Sequence, residues 1–202
     1  ERFGTAFILS VICRIWLVQC FAQLGRFKDG KTLAEEAMTI AKQADHASSL
    51  AFAHISSGFI HLVQGNVDSA IRTFETCQKI CSANNIQVLL PHIASNLGYA
   101  YALAGRVEDA LPLIEKADEQ SKLSGRKAAW ALRLTWLGQA SLLGHQIGKA
   151  REQAQRAMAL AVDAGERGYE AWALKLLGDI ALRKDSPEPE QPEKYYDRAL
   201  GL

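Results

Sequence analysis

Apolar residues along this chain recur at helical spacing, and no stretch alternates apolar with polar residues as a half-buried strand would. The segment LGYAYALAGRVEDALPLIEKA, residues 97–117, is typical: small and aliphatic residues return every three or four places, with charges between them. It predicts two helices, one over about 90–103 and one over about 107–123. Pro91 suits a first helical turn, where its missing N–H is no loss. Gly105 suits the turn between the helices, and Gly125 and Gly165 suit left-handed positions just past a helix end. Asn66 is a good N-cap for the helix that follows it. Pro112 falls inside the second helix and is expected to bend it.

The pattern repeats every forty residues. Gly25, Gly65 and Gly105 keep that step, as do Gly58, Gly98, Gly138 and Gly178. Ala70, Ala110 and Ala150 follow it, and so do Phe27, Val67, Val107 and Ile147. A fixed period in this range signals a repeat architecture. Five two-helix units account for the chain, at about 8–47, 48–87, 88–127, 128–167 and 168–202. Call the helices of each unit A and B. A glycine inside helix A costs about 1 kcal/mol relative to alanine. The expected return at Gly98 is a close crossing of helices A and B, completed by the small Ala110. Gly98→Leu is therefore expected to disrupt the hairpin.

These residues resemble the tetratricopeptide repeat, whose signature is an aromatic, Leu-Gly and Tyr on helix A, then Ala and Phe on helix B. The third unit carries Leu97, Gly98, Tyr101 and Ala110, with Ile114 in the Phe place. The second carries Gly58, Ala70 and Phe74, with His54 and His61 in the aromatic places. The fourth and fifth carry Leu137–Gly138–Ala150 and Leu177–Gly178–Ala181, while the first has Val18 in the glycine place. The resemblance implies an all-α, right-handed solenoid of about five hairpins that binds proteins. The period of forty exceeds the family's usual length of about 34. Units of this length and phrasing are similar to the repeat arms of large bacterial signalling proteins. There, a nucleotide cyclase or DNA-binding domain and an ATPase domain precede the repeats. The expectation is a fragment of a longer chain. Its partner is a protein or peptide, among them upstream domains of the same chain.

Charge narrows the choice of partner. With 23 basic and 22 acidic residues the chain has a formal net charge of +1, so bulk charge gives no reason to expect nucleic acid or an acidic membrane. Residues 6–25 form an apolar run, but Arg14 and Gln19 interrupt it, so a helix covered by protein is expected there rather than a bilayer span. That first helix is also a candidate surface for self-association. The four cysteines, Cys13, Cys20, Cys77 and Cys81, are too few for a disulfide scaffold and are expected to be buried free thiols in a cytoplasmic protein. No phosphate loop, metal-binding helix motif or nucleophile elbow occurs, so no catalysis, cofactor or metal is expected of this segment. His54 and His61, seven apart on one helix face, are expected to be core histidines, and His46 and His145 to lie solvated in turns. Trp130, Trp136 and Trp172 are expected in the core.

Carrying the family's concave groove onto this chain gives an apolar and aromatic patch of Phe59, Leu62, Val63, Tyr99 and Leu103, with Gln139 and Leu142 in the following unit. Such a patch suits an amphipathic helix or apolar peptide. The Lys/Asn set that clamps a peptide carboxylate in some family members is missing.

Overall fold

The computed structural model describes residues 6–123, 129–183 and 192–202. They hold ten α-helices: α1 (Leu9–Gln23), α2 (Phe27–Gln43), α3 (Ala47–Val63), α4 (Val67–Ala83), α5 (Leu90–Leu103), α6 (Val107–Leu123), α7 (Trp130–Leu143), α8 (Ile147–Ala164), α9 (Arg167–Ala181) and α10 (Pro192–Leu200). No strand occurs among the described residues. Odd-numbered helices are the A helices of the sequence pattern and even-numbered ones the B helices. Gly125 and residues 186–191 of the acidic, proline-rich loop lie outside the described residues.

One closure ends helix after helix. At Gly25, Asp45, Gly65, Asn85, Gly105, His145 and Gly165 the backbone turns left-handed, with φ between 45° and 79°. The next residue donates its N–H to the carbonyl five places back: Arg26 to Phe21, Asn66 to His61, Arg106 to Tyr101, Gln146 to Ser141, at 2.8–2.9 Å. His46, Ile86 and Glu166 do the same at the B-to-A joints. This six-to-one bond satisfies a carbonyl the helix leaves open. Glycine adopts the conformation freely, and Asp, Asn and His are among the residues that tolerate it. From Gly25 to Gly105 and from His145 to Gly165 the joints therefore fall twenty residues apart, and the forty-residue period is two such steps.

Two N-caps differ from expectation. Asn66 stands at the N-cap of α4 but makes no side-chain cap; its Nδ2 donates to Gln64 Oε1 instead. His46, expected only to be solvated in a turn, caps α3 by accepting from the N–H of Ser49 at its Nδ1. His145 is exposed. Pro91 lies in the first turn of α5, and α6 runs through Pro112 as one helix.

The chain divides into two compact parts, residues 1–100 and 101–202, with the division inside α5. In the first, α1 packs on α2 and α3, α2 on α3, and α3 on α4. Its core joins Val11 and Ile15 to Ala37, Ala41 and Ala53. In the second, α6 packs on α7, α7 on α8 and α9, α8 on α9, and α9 on α10. There Ala150 and Ala154 meet Leu176, Leu177 and Ile180, and Leu134, Ala157 and Ala173 form a neighbouring cluster. Within each part, then, A helices pack on B helices and on other A helices, burial that two helices alone cannot provide.

Three of the helix A glycines leave room for a neighbouring side chain, from helix B at Gly58 and Gly178 and from the next helix A at Gly138. A Cβ on Gly58 would lie 2.5 Å from the Phe74 ring, and one on Gly178 would lie 2.7 Å from the Tyr196 ring. At Gly138 it would meet Leu176 Cδ2 at 2.7 Å and the carbonyl of Ala150 at 3.2 Å. At Gly58 and Gly178 a ring further along helix B, rather than the alanine, fills the space. Gly98 is buried likewise, as are Ala70, Ala110 and Ala150.

Candidate functional site

The A helices carry the residues singled out for a groove. In the first part of the chain Phe59, Leu62 and Tyr99 are buried, and Val63 is half-buried. In the second, Gln139 and Leu142 are buried and Leu103 is exposed. Val63 and Leu103 are the members that keep more than a trace of access.

Polar chemistry marks the same rows in the second part. Asp179 accepts from Lys175 Nζ at 2.6 Å, from the Tyr196 hydroxyl at 2.8 Å and from Gln139 Nε2 at 3.5 Å. Burial and the bond to Asp179 push the Tyr196 phenol up to about 12. Trp136 is fully buried and meets Trp172 edge to face, with centroids 5.5 Å apart. Trp130 is half-buried and donates from Nε1 to Asp118 at 2.7 Å. Beside Trp172, Ala171 and Lys175 line a shallow apolar recess of about 190 Å³.

An exposed apolar stripe lies on α1. Leu9, Cys13, Trp16, Leu17, Cys20 and Leu24 are all exposed, Trp16 by 53% and Leu17 by 48%. Their spacing puts them on one stripe. The expectation that all four thiols are buried therefore fails for Cys13 and Cys20. Forty, eighty, 120 and 160 residues on, the places of Trp16 are held by Ser56, Asn96, Trp136 and Leu176, all buried. Those of Cys20 are held by Ile60, Ala100, Ala140 and Ile180, again all buried. The later A helices have a B helix before them in sequence, and α1 has none in the described residues. Cys77 and Cys81 are buried as expected, and Cys77 donates from Sγ to the carbonyl of Ala51. The thiol–thiol hydrogen bond to Cys81 and burial push the Cys77 thiol up.

His54 and His61 are not core residues. Both are half-buried and line an open cleft between α3 and α4. The sequence places them where the repeat has inward aromatics, but an imidazole leaves that space unfilled. Burial and the charge of Lys42 lower the pKa of His54; burial, Lys31 and Arg72 lower that of His61.

Among the described residues no group of three or more His, Cys, Asp or Glu side chains is arranged to hold a metal ion. No helix of the described residues is long and apolar enough to cross a membrane.

Residues 91–116 match the family model of the tetratricopeptide repeat. Among solved structures, the nearly identical TPR-like repeats of a candidate kinesin light chain from Podosopora anserina superpose with a TM-score of 0.59 at 15% identity. The match covers 95% of this chain and 93% of that one. A single-substitution variant of the same repeats gives 0.60, with the same identity and coverage. No curated protein matches the sequence. At that identity the likeness concerns the fold, and the matched segment, Pro91 to Lys116, spans α5 and half of α6.

Proposed function

From a chain that folds as tetratricopeptide-like repeats, a fold that generally serves protein–protein interaction and is typically non-catalytic, we propose a regulatory repeat arm of a larger bacterial signalling protein. The parent is of the cyclase-, ATPase- or transcription-regulator-linked kind, and the arm works in the cytoplasm. Free thiols, two of them exposed, support a reducing compartment.

The observation that carries the reading is the apolar stripe of α1. The places of Trp16 and Cys20 are buried in each later A helix, and at α9 Ala150 and Ala154 of the preceding B helix pack against them. The stripe accordingly suits the alanine-lined B helix of a further hairpin, supplied by the parent. Exposed contiguous apolar surface of this kind marks an interaction site.

The test is the double change Trp16→Asp and Leu17→Asp, at two exposed positions. Sedimentation of the wild-type chain is expected to show association that the double variant lacks, with helix content unchanged. In the parent protein the same pair is expected to alter the regulated activity. A chain that is monomeric in both forms, in a parent whose activity ignores the change, would overturn the reading. A second reading, a free-standing peptide-binding adaptor, is favoured by the apolar recess at Trp172. It predicts a captured peptide that Trp172→Ala releases.

A further inference from the structure

Hairpin two departs from hairpin one at five places, and at three of them from hairpin three as well. In hairpin one, Arg26 stacks on Phe21, its Cζ 4.5 Å from the ring centroid, and donates from Nε to Asp29 at 2.8 Å. Arg106 does the same with Tyr101, at 4.0 Å, and with Asp109, at 2.9 Å. A stacked, ion-paired arginine thus plugs the mouth of each hairpin. Deeper in hairpin one, Arg14 donates to Glu36 at 2.9 Å. Forty residues after Phe21, Arg26 and Asp29 stand His61, Asn66 and Ser69; forty after Arg14 and Glu36 stand His54 and Thr76. Both carboxylates and the stacked arginine are gone. An open cleft of about 280 Å³ lies between α3 and α4 in this hairpin.

What lines the cleft is of one kind: His54 and His61 from α3, and Ser69, Arg72, Thr73 and Thr76 from α4. No carboxylate is among them. The hydroxyls of Thr73 and Thr76 are spent on the carbonyls of Ser69 and Arg72. Arg72 Nη2 donates to Ser69 Oγ at 3.1 Å, which holds the guanidinium over the cleft while its other N–H groups stay available. His61 Nδ1 is shut off from water and has no hydrogen-bond partner. Lys31 and Lys42, on α2, add positive charge near the two imidazoles. Asp68 borders the adjoining recess, beside Gly65 and Asn66.

We infer that this cleft binds a small tetrahedral oxyanion of the phosphate class, with Arg72 and Ser69 as fixed donors and the two histidines as donors that take up a proton on binding. The anion supplies the negative charge that the neighbouring hairpins carry in Asp29, Glu36 and Asp109. Burial and nearby cations disfavour the protonated imidazole, and an anion beside it favours that form. Binding is therefore tighter in acid. The inference is independent of the arm or adaptor reading.

The experiment is a calorimetric and NMR titration of the chain with sodium sulfate, inorganic phosphate and O-phosphoserine, at constant ionic strength held with chloride. Saturable binding that moves the His54 and His61 ring signals is expected. Sulfate, whose charge is fixed in this range, is expected to bind more tightly at about pH 6 than at about pH 7.5. Arg72→Gln, at an exposed position, is expected to weaken it about tenfold or more. A graft of the hairpin-three plug, His61→Tyr with Asn66→Arg and Ser69→Asp, is expected to fold and to bind nothing. Tighter binding of O-phosphoserine would assign the cleft to a phosphorylated partner, and preference for inorganic phosphate to a free anion. Shifts matched by chloride alone, or a graft that binds as the wild type does, would overturn the inference.

Discussion

Single residues at the joints decide where this chain turns. His145 holds a left-handed φ of 59° that Gly25, Gly65 and Gly105 hold at the equivalent joints. It is exposed, so His145→Gly removes the strain with little loss of packing. A gain of up to about 1 kcal/mol in urea unfolding is expected. Gly58→Ala works in the opposite sense, because the new Cβ meets the Phe74 ring at 2.5 Å. A loss of about 1–3 kcal/mol is expected, partly recovered when Phe74 is also made Leu. His54 and His61 bind protons less readily folded than unfolded, since their pKa values are lowered from 6.5. Stability from them is full above about pH 6.5 and falls as pH drops through the range between 6.5 and the folded values, a dependence that His54→Asn with His61→Asn should flatten in pH-resolved melting. The glycine pattern was legible because a repeated glycine has few other causes. The cleft was not, because a histidine in an aromatic place looks like a core residue until its neighbours fail to close over it.

Helices here differ more in what covers them than in how they form. Every A helix has the composition of a buried helix, and α1 shares it, yet its stripe from Leu9 to Leu24 is open. That composition is what the apolar run 6–25 displays, and no periodicity could say which side lacked a neighbour. Of the groove residues, Phe59, Leu62, Gln139 and Leu142 are buried in the chain by itself. At the other end α10 buries no residue fully and is tied to α9 by Arg198 on Glu170, at 2.7 Å, and by Tyr196 on Asp179. Arg198→Ala leaves the Glu170 carboxylate, 10% exposed, without its cation. Amide exchange along α10 is expected to quicken about five-fold, about 1 kcal/mol of local opening, while α9 is unaffected.

Over the whole molecule the forty-residue period was plain, but the division at residue 100 was not, since the repeat runs through α5 without a break. In a repeat protein most contacts are between neighbours, and stability is close to a sum of local terms. Residues 1–100 and 101–202 are therefore expected to open separately in native-state hydrogen exchange, with different denaturant dependences; one common opening would contradict this. The evenly spaced joints have a genetic consequence as well. Because each left-handed closure is made by the last turn of one helix and the residue after it, joints forty residues apart among the described residues are interchangeable. An in-frame duplication or loss of forty codons keeps every inward face inward, so such a gene lengthens or shortens its product in whole hairpins. A change of twenty codons instead exchanges A helices for B helices downstream, setting alanine faces where glycines and rings are needed, and natural variation in copy number should avoid it.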